Sequence, residues 1–181
     1  ETIVLKVQYP GLADVIDSDF DAVVRMLLLA RWIKAGRELD DWLGSLRQQL
    51  HNEIDYEREA AIGDRVAALV AERREAFAER GIRYHVPLRH ARYCGDTVLA
   101  LEYIDGDPVG SPAVAKLPLG RRNALGRAML ELFFLELYDW GLLQTDPNFG
   151  NFLIRRRPGG DELVLLDFGS TLYCDEDFLA N

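Results

Sequence analysis

Three oxygen-bearing side chains, Asp146, Asn151 and Asp167, are of the types and spacing that could hold a divalent cation against a polyphosphate. They lie in Gln144-Thr145-Asp146-Pro147-Asn148-Phe149-Gly150-Asn151 and in Asp167-Phe168-Gly169, with two short apolar runs between them. Mg²⁺ is a hard cation that prefers oxygen ligands and commonly shares them with substrate phosphates. One carboxylate (Asp167) and one amide oxygen (Asn151) would bind such an ion without saturating it. Asp146 would then face a nucleophile. The bland alternative is that Asp-Pro-Asn and Asp-Phe-Gly only make turns, which favour these residue types. The full set, with apolar strands between its polar parts, favours the chemical reading.

The five-residue step from Asp146 to Asn151 is the D-x-x-x-x-N spacing of a kinase catalytic loop, and Asp167 opens a D-F-G after an apolar run. Lys6 sits among Ile3, Val4, Leu5 and Val7, the setting of a strand lysine that contacts nucleotide phosphates. A solvent-facing edge lysine would look the same. Glu53 continues the stripe Leu39, Leu43, Leu46, Leu50, so it is expected on the packed side of its helix as the carboxylate partner of Lys6. The alternative is a glutamate at the rim of that stripe. Glu53, Asp55, Glu57 and Glu59 crowd acids at alternate positions. They fit a site that needs negative charge, or a face neutralised by Arg47, Arg58 and Arg65. The run Val98 to Ile104, leading into Asp105-Gly106, fits a hinge whose backbone at Glu102 and Ile104 would hydrogen-bond adenine.

Positioning these groups falls to the following elements. Thr2 to Gln8 reads as a strand broken by Tyr9-Pro10-Gly11. Ile16, Phe20, Val23 and Leu27 recur at helical spacing, and the helix is expected to end at Gly36. A second helix carries the Leu39 stripe and is expected to run, with a break near Gly63, to about Glu79. Gly81 closes it. A β region around Val86-Pro87, a turn at Gly95-Asp96, a strand from Thr97 to Tyr103 and a turn cluster at Asp105 to Pro108 follow. A third long helix starts near Pro118, with Leu125, Ala128, Leu132 and Leu135 on one face, and ends near Gly141. Phe152 to Ile154 and Leu163 to Leu166 form a hairpin around a polar turn from Arg155 to Asp161. This order of strands and helices predicts an α+β class, not a doubly wound sheet.

The net charge of −9 in 181 residues argues against a nucleic-acid surface, which needs clustered Lys and Arg. Cys94 and Cys174 form no C-x-x-C pair and read as two reduced thiols. His51, His85 and His90 lack metal-ligand spacing. The most apolar stretch, Met129 to Leu143, is too short and too interrupted by Glu131, Glu136 and Asp139 to cross a bilayer. A start inside a strand, without Met, suggests a piece of a longer protein.

Four segments together resemble the UbiB/AarF/ADCK kinase-like family. They are Leu5-Lys6-Val7-Gln8-Tyr9-Pro10-Gly11, Glu53-Ile54-Asp55-Tyr56-Glu57-Arg58-Glu59-Ala60, Gln144 to Phe152, and Leu165-Leu166-Asp167-Phe168-Gly169. The Gln-Thr-Asp-Pro-Asn form is similar to the coenzyme Q branch of that family. The resemblance implies a protein-kinase-like fold, with a partial N-lobe over 1–104 and a partial C-lobe over 105–181. It implies Lys6 as the nucleotide lysine, Glu53 as its ion-pair partner, Asp55 completing an E-x-D motif in the nucleotide site, Asp146 as the catalytic aspartate, and Asn151 and Asp167 as magnesium ligands. ATP and Mg²⁺ are the implied cofactors. An atypical kinase or ATPase supporting ubiquinone biosynthesis is the implied activity, and quinone-precursor lipids or coenzyme Q proteins are the implied partners. The implied setting is the cytoplasm, the periphery of the inner membrane or, in a eukaryote, the mitochondrial matrix. The family's K-x-G-Q motif and Ala-rich nucleotide loop precede the lysine strand and are not among these residues, so weak ATP binding, or none, and no activity of their own are expected of them alone. A nucleotide-binding regulator without catalysis and a small-molecule phosphotransferase are the competing readings.

Overall fold

The computed structural model describes residues 2–30, 36–146, 148–157 and 160–174. The β-branched run at the start forms strand β1 (Ile3–Val7). Gly11, at φ 73°, then turns the chain into helix α1 (Leu12–Leu29). That helix stops at Ala30, whose amide donates to the Met26 carbonyl at 2.9 Å. The expected end at Gly36 is therefore corrected: Gly36, extended at φ 176°, leads into α2 (Arg37–Glu53).

The expected single helix to Glu79 is three. The chain breaks at Ile54-Asp55, and the Asp55 carboxylate caps α3 (Tyr56–Glu72) by accepting the Arg58 amide at 2.8 Å. It breaks again at Arg73 before α4 (Arg74–Glu79). Gly63 is no break, because it lies inside α3. A Cβ there would sit 3.3 Å from the Phe168 ring, so the missing side chain is what lets that ring pack on the helix.

Beyond Gly81 come β2 (Tyr84–His85) and, after the Gly95-Asp96 turn, β3 (Val98–Glu102). Part of the expected turn cluster is a short strand, β4 (Asp107–Pro108), paired against Ile154 and Leu153. Ser111 caps α5 (Pro112–Ala115). The expected long helix is α6 (Leu119–Phe134), which widens into a π-helical turn over Leu135–Trp140 before Gly141 at φ 60°. The remaining strands are β5 (Leu142–Gln144), β6 (Phe152–Arg157), β7 (Gly160–Leu165) and β8 (Thr171–Tyr173). The expected hairpin is β6–β7, with Phe152 opposite Leu165 and Arg157 opposite Gly160. The tip of its expected polar turn, 158–159, lies outside the described residues.

Among the described residues the strands form three sheets. β1 pairs antiparallel with β3, placing Lys6 opposite Leu99. β2, β7, β6 and β4 form a mixed four-stranded sheet in which β2 runs parallel to β7. β5 and β8 form an antiparallel pair, with Gln144 opposite Thr171. One apolar core joins the four-stranded sheet to β5 and to the helices. Ile62, Val66 and Val70 of α3 and Phe77 of α4 meet Leu125, Ala128 and Leu132 of α6, and Phe152, Ile154, Leu163 and Leu165 of the hairpin. Burying each such side chain is worth roughly 1.5–3 kcal/mol. The core thus draws on residues from both sides of position 104.

Candidate active site

The polar groups singled out by spacing converge where α3, β1 and the two loops beside β5 meet. Lys6 reaches across from β1, and its Nζ donates to both carboxylate oxygens of Glu59, at 2.7 and 2.8 Å. The same ammonium lies 3.2 Å from Asp167 Oδ2. Burial opposes the charge on Lys6, yet the carboxylates of Glu59 and Asp167 outweigh it and raise its pKa. Burial also pushes Glu59 upward while the ammonium pulls it back.

Glu59, not Glu53, is therefore the carboxylate that Lys6 engages, and the expectation for Glu53 is corrected. Glu53 ends α2 and is exposed, whereas Glu59 retains only 3% of its surface. The reason is the break at Asp55. It starts a new helix whose buried face runs Glu59, Ile62, Val66, Val70 at spacings of three and four. That stripe was legible in the sequence and was hidden by extending the Leu39 stripe into a helix that had already ended. Glu53 is still near the site. Burial and then the charges of Asp167 and Asp146 raise its pKa, against the pull of Lys6 and Arg58.

The two loops are fastened together by main-chain bonds. Leu166 N donates to the Asn151 carbonyl at 2.9 Å, just before Asp167. Gln144 Nε2 donates to the Asp167 carbonyl at 2.5 Å. The amide and hydroxyl of Thr145 both donate to the Ser170 carbonyl, at 2.9 and 2.6 Å. Arg58, one turn into α3, donates to the carbonyls of Gly169 (2.8 Å) and Thr171. Asp167 Oδ1 accepts the Gly169 amide at 2.9 Å, which fixes its rotamer and leaves Oδ2 toward Lys6. Asn151 Nδ2 donates to Asp146 Oδ2 at 2.9 Å, so the carboxamide oxygen of Asn151 is the atom left for a ligand.

Among the described residues no three His, Cys, Asp or Glu side chains form a ready-made metal site. A donor set of one carboxylate and one amide oxygen suits an ion that takes its remaining ligands from phosphate and water, which is the habit of Mg²⁺. The crowding of Glu53, Asp146 and Asp167 also fits an additional cation, since their mutual repulsion is met only by Lys6 and Arg58.

The remaining expected residues are placed as follows. Asp55 has its carboxylate engaged as the α3 cap. Glu102 ends β3, where its amide donates to the Leu88 carbonyl at 2.8 Å. Its carboxylate meets His85 Nε2 at 2.8 Å, the Leu88 amide at 3.2 Å and Arg155 at 3.6 Å. Burial pushes the Glu102 carboxyl up, but these partners outweigh it and lower its pKa. Ile104 is buried.

The model of the ABC1 atypical kinase-like domain matches residues 1–181. The chain belongs to the ABC1 atypical kinase-like family. Among curated relatives, this ABC1 domain is 33% identical over 177 residues to the mitochondrial atypical kinase COQ8 of Schizosaccharomyces pombe, covering 98% of this chain and 27% of that protein. It is 35% identical over 171 residues to the mitochondrial atypical kinase coq-8 of Caenorhabditis elegans, covering 93% and 21%. The ABC1 domain thus spans about a fifth to a quarter of the length of these relatives. A solved structure of Rv3197 from Mycobacterium tuberculosis, described as its complex with erythromycin, superimposes with a TM-score of 0.66 at 25% identity, covering 94% of this chain and 40% of that one. These likenesses agree with the kinase-like resemblance read from the four motifs. No helix among the described residues is long and apolar enough to cross a membrane.

Proposed function

We propose that the site binds ATP with Mg²⁺, and that the chain is the nucleotide-handling core of an atypical kinase or ATPase supporting coenzyme Q biosynthesis. The observation that carries this reading is Lys6 held between Glu59 of α3 and Asp167 of the D-F-G. A strand lysine, a helix glutamate and a metal-loop aspartate in one contact is the arrangement phosphoryl transfer requires of a kinase site.

In this reading Asn151 Oδ1 and Asp167 would hold the metal, which would supply charge neutralisation to the phosphates. Glu59 orients Lys6 toward the phosphates. Asp146, steadied by the Asn151 amide, orients the attacking hydroxyl or water and accepts its proton. The hinge after β3, at Glu102 and Ile104, lies against adenine, and Asp55 serves the site indirectly by starting the helix that carries Glu59. Quinone-precursor lipids or coenzyme Q proteins are the partners that the family suggests.

A second reading, a nucleotide-binding regulator without catalysis, is favoured by Gln144 and Thr145. They stand where an ordinary kinase has His and Arg, and they tie the two loops together at the Asp167 and Ser170 carbonyls. The two readings separate on the purified protein by measuring ATP-analogue affinity with and without Mg²⁺, and steady-state phosphate release. Asp167→Asn is expected to abolish the Mg²⁺-dependent part of nucleotide affinity, and unchanged affinity would remove Asp167 from the metal site. Asp146→Asn is expected to abolish phosphate release with nucleotide still bound. If the unsubstituted protein binds nucleotide and releases no phosphate, the regulator reading stands instead.

A further inference from the structure

Beside the catalytic groups just described, a cleft of about 860 Å³ opens between α3, α4, β2, the end of β3 and the β6–β7 hairpin, and Glu102 at the hinge is part of its lining. Lys6, Glu59, Asp146, Asn151 and Asp167 do not line it. One wall is apolar and preformed: Phe77 and Tyr84 meet edge to face at 4.9 Å, flanked by Val70 and Ile82, and all four are buried. The volume falls in the range of small-molecule sites.

The charges are distributed unevenly. Arg155, the innermost arginine, is already neutralised, with Nε 2.6 Å from Glu162 and Nη1 3.6 Å from Glu102. His85 takes the other oxygen of Glu102. Arg157 is left 3.8 Å from the Glu162 oxygen that Arg155 has claimed. Arg74 and Arg83 also line the cleft, and no described carboxylate lies within ion-pair distance of either. Glu75 is the one lining acid outside this network. Three poorly compensated guanidinium groups on one cleft are out of keeping with a chain of net charge −9.

A second cavity of about 430 Å³ shares Ile82, Arg83 and Arg157 with the first, and continues along Gly120, Ala124 and Ala128. Arg83 and Arg157 therefore stand between two hollows, the second of which also carries the Arg121–Asp161 ion pair. A bare anion would leave the apolar walls unused, and a neutral apolar molecule would leave the arginines unpaired. Guanidinium forks match carboxylate and phosphate geometry in a way that a point charge does not.

We propose that this cleft binds a small amphiphilic anion, its carboxylate or phosphate held by Arg83 and Arg157 and its apolar body lying on Phe77, Ile82 and Tyr84. The assignment does not depend on the nucleotide site and is tested by direct binding. Three probes share one apolar body: 2-naphthoate, 2-naphthyl phosphate and the neutral 2-naphthamide. Titration calorimetry on the purified protein should give saturable one-site binding of at least one of the two anions, at least tenfold tighter than the amide. The double variant Arg83→Ala/Arg157→Ala should weaken that anion at least tenfold while leaving the melting temperature unchanged, since both side chains are exposed. Ala78→Trp, which fills the cleft wall from α4, should weaken all three probes. Which anion binds more tightly separates a carboxylate site from a phosphate site. No saturable binding of either anion, an amide that binds equally well, or affinity indifferent to the arginine substitutions would each overturn the proposal.

Discussion

Glu136 shows how a single buried acid can set the pH response of this domain. It is a buried residue of the π-helical turn, and the hydrogen bond its carboxylate receives is a long one, from the Gln144 amide at 3.3 Å. Burial pushes its carboxyl up to about 7, and the bond from Gln144 offsets only part of that. In the unfolded chain the same group titrates at about 4.3. As pH rises through the interval between those values, the unfolded state loses its proton first, so stability falls, and the loss is complete above pH 7. Glu136→Gln keeps the shape and removes the titration. It should flatten the decline in denaturation midpoint between about pH 4.5 and 7, and stabilise the domain at pH 8 by on the order of 2 kcal/mol. An unaltered pH profile would mean that the carboxyl is solvated. At this scale the sequence carried most of the site. Asp146, Asn151 and Asp167 stand out because the metal and phosphate chemistry proposed for them would restrict both residue type and spacing. The partner of Lys6 was misread because Glu53 and Glu59 carry the same chemistry, and only a helix boundary tells which of them faces inward.

That boundary is an event at the scale of elements. Periodicity marked this stretch as helical but ran α2, α3 and α4 together, because a stop is a local contest between cap and continuation. Asp55 wins that contest by accepting the Arg58 amide, a cap worth about 1 kcal/mol. Gly63, the residue type that suggested the break, is instead a packing residue. The two roles make opposite predictions on substitution. In an open helix interior, Gly→Ala is stabilising by roughly 0.5–1 kcal/mol. Gly126 in α6 has nothing within 4 Å of where a Cβ would stand, so Gly126→Ala should show that gain in thermal melts. Gly63→Ala should not, because its methyl group would meet the Phe168 ring at 3.3 Å. A displaced Phe168 would also move Asp167, so nucleotide affinity should fall in Gly63→Ala and stay constant in Gly126→Ala. Equal stabilisation of the two variants would show that the ring yields without cost and that Gly63 has no packing role.

For the molecule as a whole, the pattern least visible beforehand is how the pieces join. A β region around Val86-Pro87 and an apolar strand from Leu163 are legible, yet nothing local specifies that β2 and β7 pair in parallel, with Tyr84 beside Leu163, across about eighty residues of chain. That pairing, with the Tyr84 hydroxyl donating to the Ala128 carbonyl at 2.7 Å, locks α3, α4, α6 and the hairpin into one core. Elements sharing a core should open together, and elements outside it should open first. Helix α1 is the clear outsider, because it buries no residue and leaves Val23, Met26 and Leu29 more than half exposed. Ion pairs from Arg47 to Asp17 and Asp21, with a His51–Asp17 contact at 3.0 Å, hold it to α2, and exposed pairs contribute little. Amide hydrogen exchange should therefore divide the domain. The amides of Leu12–Leu29 should exchange through low-energy local opening and gain exchange rate in 0.5 M salt, which screens those pairs. Those of Ile62 to Val70 and of β7 should exchange only by global unfolding and share one free energy. If α1 proved as protected as α3, the contacts between α1 and α2 would have to be far stronger than surface ion pairs, and the core would have to extend beyond the residues that now define it.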